Sequence, residues 1–539
     1  MFDFVIKNAR ILDGGGGPEF EADIAIEKGR IAAVGRVEDP AARVIDASGL
    51  IASPGFIDIH SHTDAGLLID PRAESKLTQG VTLELCGNCG FSMGPCLDES
   101  GRAELDDWRR RHGIEQDWRT LDDALRVLAG RPLGVNIATL VGHANLRAAV
   151  VGLADREASP GEIAEMRRLA AEAMRQGAFG LSSGLIYAPS CFANAVELAG
   201  IASAVAPYGG FYASHIRSEG DRLVEAVEEA IEIGARAGVP VQIAHHKACG
   251  PRNWGRVSTT LDMIRQARDS GADVSVDQYP YTAGATSLSA LLPSWAHDGG
   301  DRALLERIAS RRDELLAALR GIGDTEGRIE YAEGWSSVMI SSVRSDANRA
   351  CEGMNLQQIA AARGRSAEDV ILDLISQEQA HVSMVQFSQC EEDVRTVMRS
   401  PFSMVGTDAA ARATTGELSK GKPHPRSFGT FARVLGRYAR DEGVIPLETA
   451  VRKMTSMPAR KLGLADRGSL SPGAWADVTV FDPERVIDRA TYEEPHQTCL
   501  GIEYVFVNGR LAVERGELTG ELAGQVVRKG AGVACAGGC

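Results

Sequence analysis

His60 and His62 stand two residues apart at the end of an apolar run, residues 55–62, Gly-Phe-Ile-Asp-Ile-His-Ser-His. On a β-strand, residues i and i+2 face the same side, so both imidazoles would be aimed at one point past the strand end. That spacing suits a metal site. Four more polar residues follow apolar runs in the same manner: Cys89, His215, His245 and Asp408. Four imidazoles, a thiolate and a carboxylate fit zinc, a borderline metal that accepts nitrogen, sulfur and oxygen ligands. Taken singly, each has a plainer reading: His215 and His245 as satisfied strand-end histidines, Cys89 as an inert buried thiol, Asp408 as a helix cap. They form a set only if the runs they follow are strands of one barrel.

Eight such runs can be counted, at residues 56–62, 82–86, 135–141, 179–183, 211–216, 241–245, 273–277 and 404–407. Amphipathic stretches at 160–176, 223–237 and 259–270 separate several of them, which is the βα alternation of a parallel sheet. Eight units predict an α/β fold of the TIM-like (β/α)8 type over residues 53–464, with its chemistry at the carboxyl ends of the strands. The interval between the seventh and eighth runs is too long for one crossover, so residues 289–346, with a helical stretch at 301–319, are expected as an insertion that could cover the barrel mouth. Both chain ends have a different texture, with short alternating segments punctuated by glycine, such as 22–26, 31–34, 476–481 and 502–510. Each is too small to close a core, so 1–52 and 465–528 are expected to meet in one small β domain. The Gly/Ala-rich residues 529–539 are expected to be a flexible tail.

Composition narrows the function classes. The 539 residues include 44% apolar and 24% charged side chains, enough for a large core, and the formal net charge of -15 disfavours nucleic acid and anionic membrane as partners. The N-terminus lacks the basic start and unbroken apolar segment of a signal peptide, and no stretch has the length of a membrane span. Ten cysteines are mostly scattered singly, which argues against a disulfide framework and for a cytoplasmic location. Cys86-Gly87-Asn88-Cys89 has a competing reading as a redox pair.

Several motifs carry a resemblance beyond these patterns. They are residues 55–64, Gly87-Asn88-Cys89-Gly90-Phe91-Ser92, Gly180-Leu181-Ser182-Ser183-Gly184-Leu185, Ser214-His215-Ile216-Arg217, Asp277-Gln278-Tyr279-Pro280-Tyr281 and His424-Pro425-Arg426. Together they resemble the amidohydrolase superfamily, and within it the N-acyl-D-amino-acid deacylases, or D-aminoacylases, over nearly the whole chain. The resemblance implies one tight zinc held by Cys89, His215 and His245, and a second, weaker metal position at His60, His62 and Asp408. Residues 179–186 contain no lysine, so the carboxylated lysine that bridges two metals in many superfamily members has no counterpart there. The Cys89 thiolate could replace that bridge. Ala244 and His246 around His245, and Ala409-Ala410-Ala411 after Asp408, depart from the family pattern. By strand alternation His246 should lie outside the site.

Hydrolysing an amide needs a nucleophile at neutral pH, a polarised carbonyl and a proton for the departing nitrogen, and zinc lowers the pKa of water to about 7. The resemblance makes Asp408 the general base. Lys247 and Arg426 resemble the family's binders of the substrate carboxylate, to which Tyr187 and Tyr281 could add phenolic hydrogen bonds. His143 reads either as an orienting residue or as a hydrogen-bonded core group. The expected activity is zinc-dependent hydrolysis of a small-molecule N-acyl-D-amino acid to a carboxylate and a free D-amino acid. The alternatives are a metal-dependent hydrolase of D-residue-containing dipeptides or cyclic amides, and a non-catalytic metal-binding protein on the same fold.

Overall fold

The computed structural model describes residues 1–321 and 334–530. Its central strands are β1 (Phe56–Asp58), β2 (Val81–Cys86), β3 (Asn136–Thr139, continued by Val141–Gly142), β4 (Gly180–Gly184), β5 (Phe211–His215), β6 (Val241–Ile243), β7 (Val274–Gln278) and β8 (Ser403–Val405). β1, β2 and the first half of β3 run parallel, with Asp58 opposite Glu84 and Glu84 opposite Ile137. The second half of β3 pairs with β4, and parallel pairing continues through β5, β6 and β7 to β8. The chain beyond β8 returns to β1: the Asp408 amide donates to the His60 carbonyl at 2.8 Å, and Ser61 bridges Ala409 in parallel. The eight strands therefore close into a (β/α)8 barrel.

Every residue of these strands is buried, as expected when helices cover the outside and side chains fill the inside. The helices show why they start and stop where they do. Pro160–Arg175 opens with a capping box in which Ser159 accepts from the Glu162 amide and Glu162 reaches back, satisfying two orphan donors. Leu223–Ala237 ends at Gly238 in the left-handed conformation. Their apolar stripes, including Met166, Leu169, Val227 and Ile233, pack with Leu181, Tyr212, Ile243 and Val276 in one core, each such burial contributing about 1.5–3 kcal/mol.

The two chain ends share a nine-stranded sheet. Its seam lies where Ile51–Pro54 runs antiparallel to Val478–Phe481, with Ala52 opposite Val480. Ile6, Ile24, Ile26, Val478, Val480 and Phe506 form its interior. Lys529 is tied down where its backbone amide donates a hydrogen bond to the Gly177 carbonyl at 3.0 Å, and residues 531–539 of the expected tail lie outside the described residues.

The insertion between β7 and β8 is wider than 289–346. It contains a three-stranded antiparallel sheet in the order Ala283–Ser287, Ser383–Phe387, Val338–Ser342. Helices Gly300–Ser310, Arg312–Arg320, Leu356–Arg363 and Ala367–Gln377 pack with it around Leu288, Leu304, Leu315, Val370 and Leu374. The first strand of this sheet is not marked by periodicity, because Ala283-Gly284-Ala285-Thr286-Ser287 has small residues and no apolar alternation. The insertion is pinned to the barrel where the Gly299 amide donates to the Leu153 carbonyl at 2.9 Å and the Asp155 amide to Asp298 Oδ1 at 2.8 Å. Among the described residues no helix is long and apolar enough to cross a membrane, and the described cysteines are all thiols.

Candidate active site

The barrel brings His60, His62, Cys89, His215, His245 and Asp408 together at the carboxyl ends of its strands. His60, His62, Cys89 and Asp408 have ligand atoms within 4.8 Å of one another, as do Cys89, His215 and His245. The first pair does not sit on the strand itself. β1 stops at Asp58, whose Oδ1 accepts from the His60 amide at 3.2 Å, an Asx-type turn that ends the pleat. The two rings still lie 5.3 Å apart, centroid to centroid.

Three of these residues are held in strained backbone. Cys89 has φ 52°, His245 φ 35° and Asp408 φ 49°, left-handed values that cost non-glycine residues about 1–3 kcal/mol each and gather at functional sites. The surroundings enforce them. The amide after Cys89, that of Gly90, donates to Ser182 Oγ at 3.1 Å. The His245 amide donates to Asp277 Oδ1 at 2.7 Å. Beneath His60 to His62 lies a buried cluster in which Lys76 Nζ reaches Asp58 Oδ2 at 2.7 Å, Thr407 Oγ1 at 2.8 Å and Glu84 Oε2 at 3.2 Å. It ties β1, β2 and the end of β8 into one unit.

The donor set fits zinc. Around a tetrahedral ion a thiolate sulfur and an imidazole nitrogen stand about 3.6 Å apart; Cys89 Sγ is 3.6 Å from His245 Nε2 and 3.4 Å from His60 Nε2. His215 is buried, and neither of its ring nitrogens has a hydrogen-bond partner, an arrangement that is costly unless something accepts those lone pairs. Charge points the same way. Burial alone would push the Cys89 thiol up, but the charge of His60 and the imidazoles of His60 and His245, 3.4 and 3.6 Å from the sulfur, hold it well below the usual range. Burial would likewise lower His62, yet its bond to Asp408, 3.0 Å from His62 Nε2, pushes it up to about 9. A site that raises histidine basicity in this way attracts a cation.

Further carboxylates orient the ligands. Asp277 Oδ1 is 3.0 Å from His60 Nδ1, and Glu219 Oε1 is 2.9 Å from His245 Nδ1. Each fixes which ring nitrogen faces the cluster. Glu219 also pairs with Lys247 Nζ at 2.5 Å. Burial would raise Glu219, but Lys247 and the two histidines hold it well below its ordinary value. His246 faces away, its Nε2 bonded to Thr260 Oγ1 at 2.9 Å, and burial pushes it down to about 4.

These groups form the floor of a cavity of about 840 Å³, roofed by insertion residues such as Thr286, Ser287, His297 and Asp301. Lys247, Tyr187 and Arg426 line it. Arg426 Nη1 lies 2.6 Å from Asp408 Oδ2; burial opposes the charge of Asp408, but Arg426 holds that carboxylate well below the usual range. Tyr187 reaches Thr286 Oγ1 at 2.8 Å and stands edge-on to His215, ring centroids 5.1 Å apart. Tyr281 is not brought to the cavity. Its amide donates to the Tyr279 carbonyl at 3.1 Å, closing a three-residue turn about Pro280. That turn sends its hydroxyl to Asp488 Oδ2 at 3.3 Å. Tyr279 lines the cavity instead, between the Lys247 ammonium, 5.5 Å from its ring, and the Arg426 guanidinium at 4.6 Å. Sequence reasoning also passed over Asp277, quoted only within a motif, and Glu219, in the loop after β5. Strand-end alternation could have found Asp277; no periodicity marks Glu219.

A family model described as the amidohydrolase family matches residues 43–513. A D-aminoacylase of Alcaligenes xylosoxydans xylosoxydans is 38% identical over 529 residues, 98% of this chain and 98% of its own. A crystal structure of N-acyl-D-glutamate deacylase from Bordetella bronchiseptica, complexed with zinc and a phosphonate mimic of the tetrahedral intermediate, superposes with a TM-score of 0.82 at 35% identity. It covers 98% of this chain and 99% of that one. A D-aminoacylase structure with TM-score 0.81 and 37% identity, covering 98% of this chain and 100% of that one, is described as having a binuclear metal centre with one-metal activation and second-metal attenuation.

Proposed function

The chain belongs to the amidohydrolase family, and from that premise we propose that it hydrolyses the amide bond of N-acyl-D-amino acids, giving a carboxylate and a free D-amino acid, with zinc as its cofactor. The observation that carries this reading is the convergence of Cys89, His215 and His245 with Asp408 on the floor of one cavity that also exposes Lys247 and Arg426. Cys89, His215 and His245 would hold the tight ion, while His60, His62 and Asp408 offer a weaker second position. When bound, zinc supplies Lewis acidity and lowers the pKa of water to about 7.

The remaining work falls to the chain's own residues. Asp408, kept ionised by Arg426, takes a proton from the attacking water and passes it to the departing nitrogen. Lys247 and Arg426 receive the substrate's α-carboxylate, and Tyr279, which lies between them, can add a phenolic hydrogen bond. Tyr187, beside His215, is placed to donate to the acyl oxygen as charge builds there. With carboxylate and acyl group held at two fixed points, only one hand directs its side chain into open cavity. The insertion excludes water from above. The substrate is a small molecule, and a chain whose described cysteines are all thiols suits a cytoplasmic setting.

Asp408→Asn tests the assignment directly, because a carboxamide cannot take up the proton. The expected result is a fall in kcat of about 10²–10⁴-fold with the tight zinc retained, measured by steady-state kinetics beside metal analysis. Near-normal turnover in that variant would remove Asp408 from the proton path.

A further inference from the structure

Behind the cavity wall lies a second cluster of polar side chains that the proposed chemistry does not use. His143 begins the helix His143–Val150 at the end of β3. Its Nδ1 lies 2.8 Å from Ser190 Oγ and its Nε2 3.1 Å from Glu197 Oε1. Arg147, one turn along the same helix, grips both oxygens of Glu197 at 2.6 and 2.5 Å. All four are buried, at 0–1% exposure. Burial would raise the Glu197 carboxyl, but His143 and Arg147 hold it below its usual range.

Serine, histidine and glutamate bonded in that order have the connectivity of a hydrolytic triad. Ser190 cannot act as a nucleophile here, because at 1% exposure no substrate reaches it. The chain of bonds instead anchors a loop. Ser190 ends the segment that begins at Tyr187, and the Cys191 amide closes that segment onto the Tyr187 carbonyl at 2.8 Å. Arg217 clamps its far side, donating to the Cys191 carbonyl at 3.0 Å and the Ala193 carbonyl at 2.8 Å. Tyr187, Ala188 and Pro189 line the cavity. A charge-assisted network in a dry interior holds its members rigidly because every alternative leaves a polar group unpaired.

We propose that His143 is a positioning residue: through Ser190, and braced by Glu197 and Arg147, it fixes the loop that sets the Tyr187 phenol beside His215. The inference rests on the proposed role of Tyr187 toward the acyl oxygen. Replacing His143 should therefore act only through Tyr187.

The test is a double-mutant cycle on the zinc-loaded full chain, with kcat and KM for an N-acetyl-D-amino acid. His143→Phe keeps the ring but removes both hydrogen bonds, and Ser190→Ala removes the loop's end of the link with the smallest change in volume. Each should lower kcat/KM by about 10–100-fold, the scale of an ångström misplacement, mainly in kcat and with zinc content unchanged. In a Tyr187→Phe background the same replacements should cost less than about threefold, since coupled residues are non-additive. Losses that multiply independently of Tyr187, or no loss in the parent, would overturn the inference. If His143→Phe fails to fold, the Ser190→Ala cycle decides. Turnover by the unmutated enzyme is the control on the deacylase reading: its absence counts against that reading, whereas an additive cycle in an active enzyme counts against the role of His143 alone.

Discussion

Cys86 and Cys89 stand three residues apart and live in different environments. Cys86 is buried in the apolar cluster with Phe56, Val81 and Ile137, and burial pushes its thiol well up; Cys89 faces three imidazoles and is held well down. A thiolate binds metal and a protonated buried thiol does not. Cys89→Ser should therefore lose the tight zinc, whereas Cys86→Ser should retain it and cost at most about 1–2 kcal/mol of stability from burying a hydroxyl. Zinc content per chain after desalting reads this out, and the reverse pattern would favour the redox reading of the pair. At this scale the residue types and their place at the ends of apolar runs made the six candidate ligands legible in the sequence. Tyr279 and Tyr281 could not be told apart, because a turn about Pro280, not strand alternation, decides which hydroxyl faces the cavity. Glu219 left no pattern, because a loop positions it.

The elements that carry the site are held by buried polar groups as well as by apolar packing. Lys453, on the helix Leu447–Met454, is 2% exposed, and its ammonium donates to Ser403 Oγ at 2.8 Å and the Ser403 carbonyl at 3.0 Å, at the start of β8. Burial pushes it down to about 7, below the roughly 10.4 of an unfolded lysine. The unfolded chain therefore binds more protons between those two values, so stability rises with pH across that window, by up to about 1.4 kcal/mol per pH unit. Lys453→Met should remove that part of the slope, seen by comparing denaturant midpoints of the two proteins at pH 7, 8 and 9. Parallel slopes would show that Lys453 stays protonated in the fold. The eight barrel strands were legible because they are short strand-like runs, several of them separated by amphipathic stretches. The insertion's sheet was not, because its first strand pairs with one about a hundred residues further on and is built from small and polar side chains.

At the scale of the whole molecule, the barrel sets six candidate metal ligands at one end, the insertion roofs them, and the sheet from both chain ends braces the barrel beside β1. With a formal net charge of -15, an anionic substrate would approach against the molecule's own field, and the proposed function assigns its carboxylate to Lys247 and Arg426 on the floor. The central claim is that this floor performs zinc-dependent, hand-selective amide hydrolysis. Chelation should abolish the activity and zinc should restore it. The most direct measurement is release of free amine from paired N-acetyl-D- and N-acetyl-L-amino acids by the zinc-loaded chain. The account predicts release from the D compounds, with the L compounds at least about a hundredfold slower. Equal release from both hands, or release from neither, would contradict it.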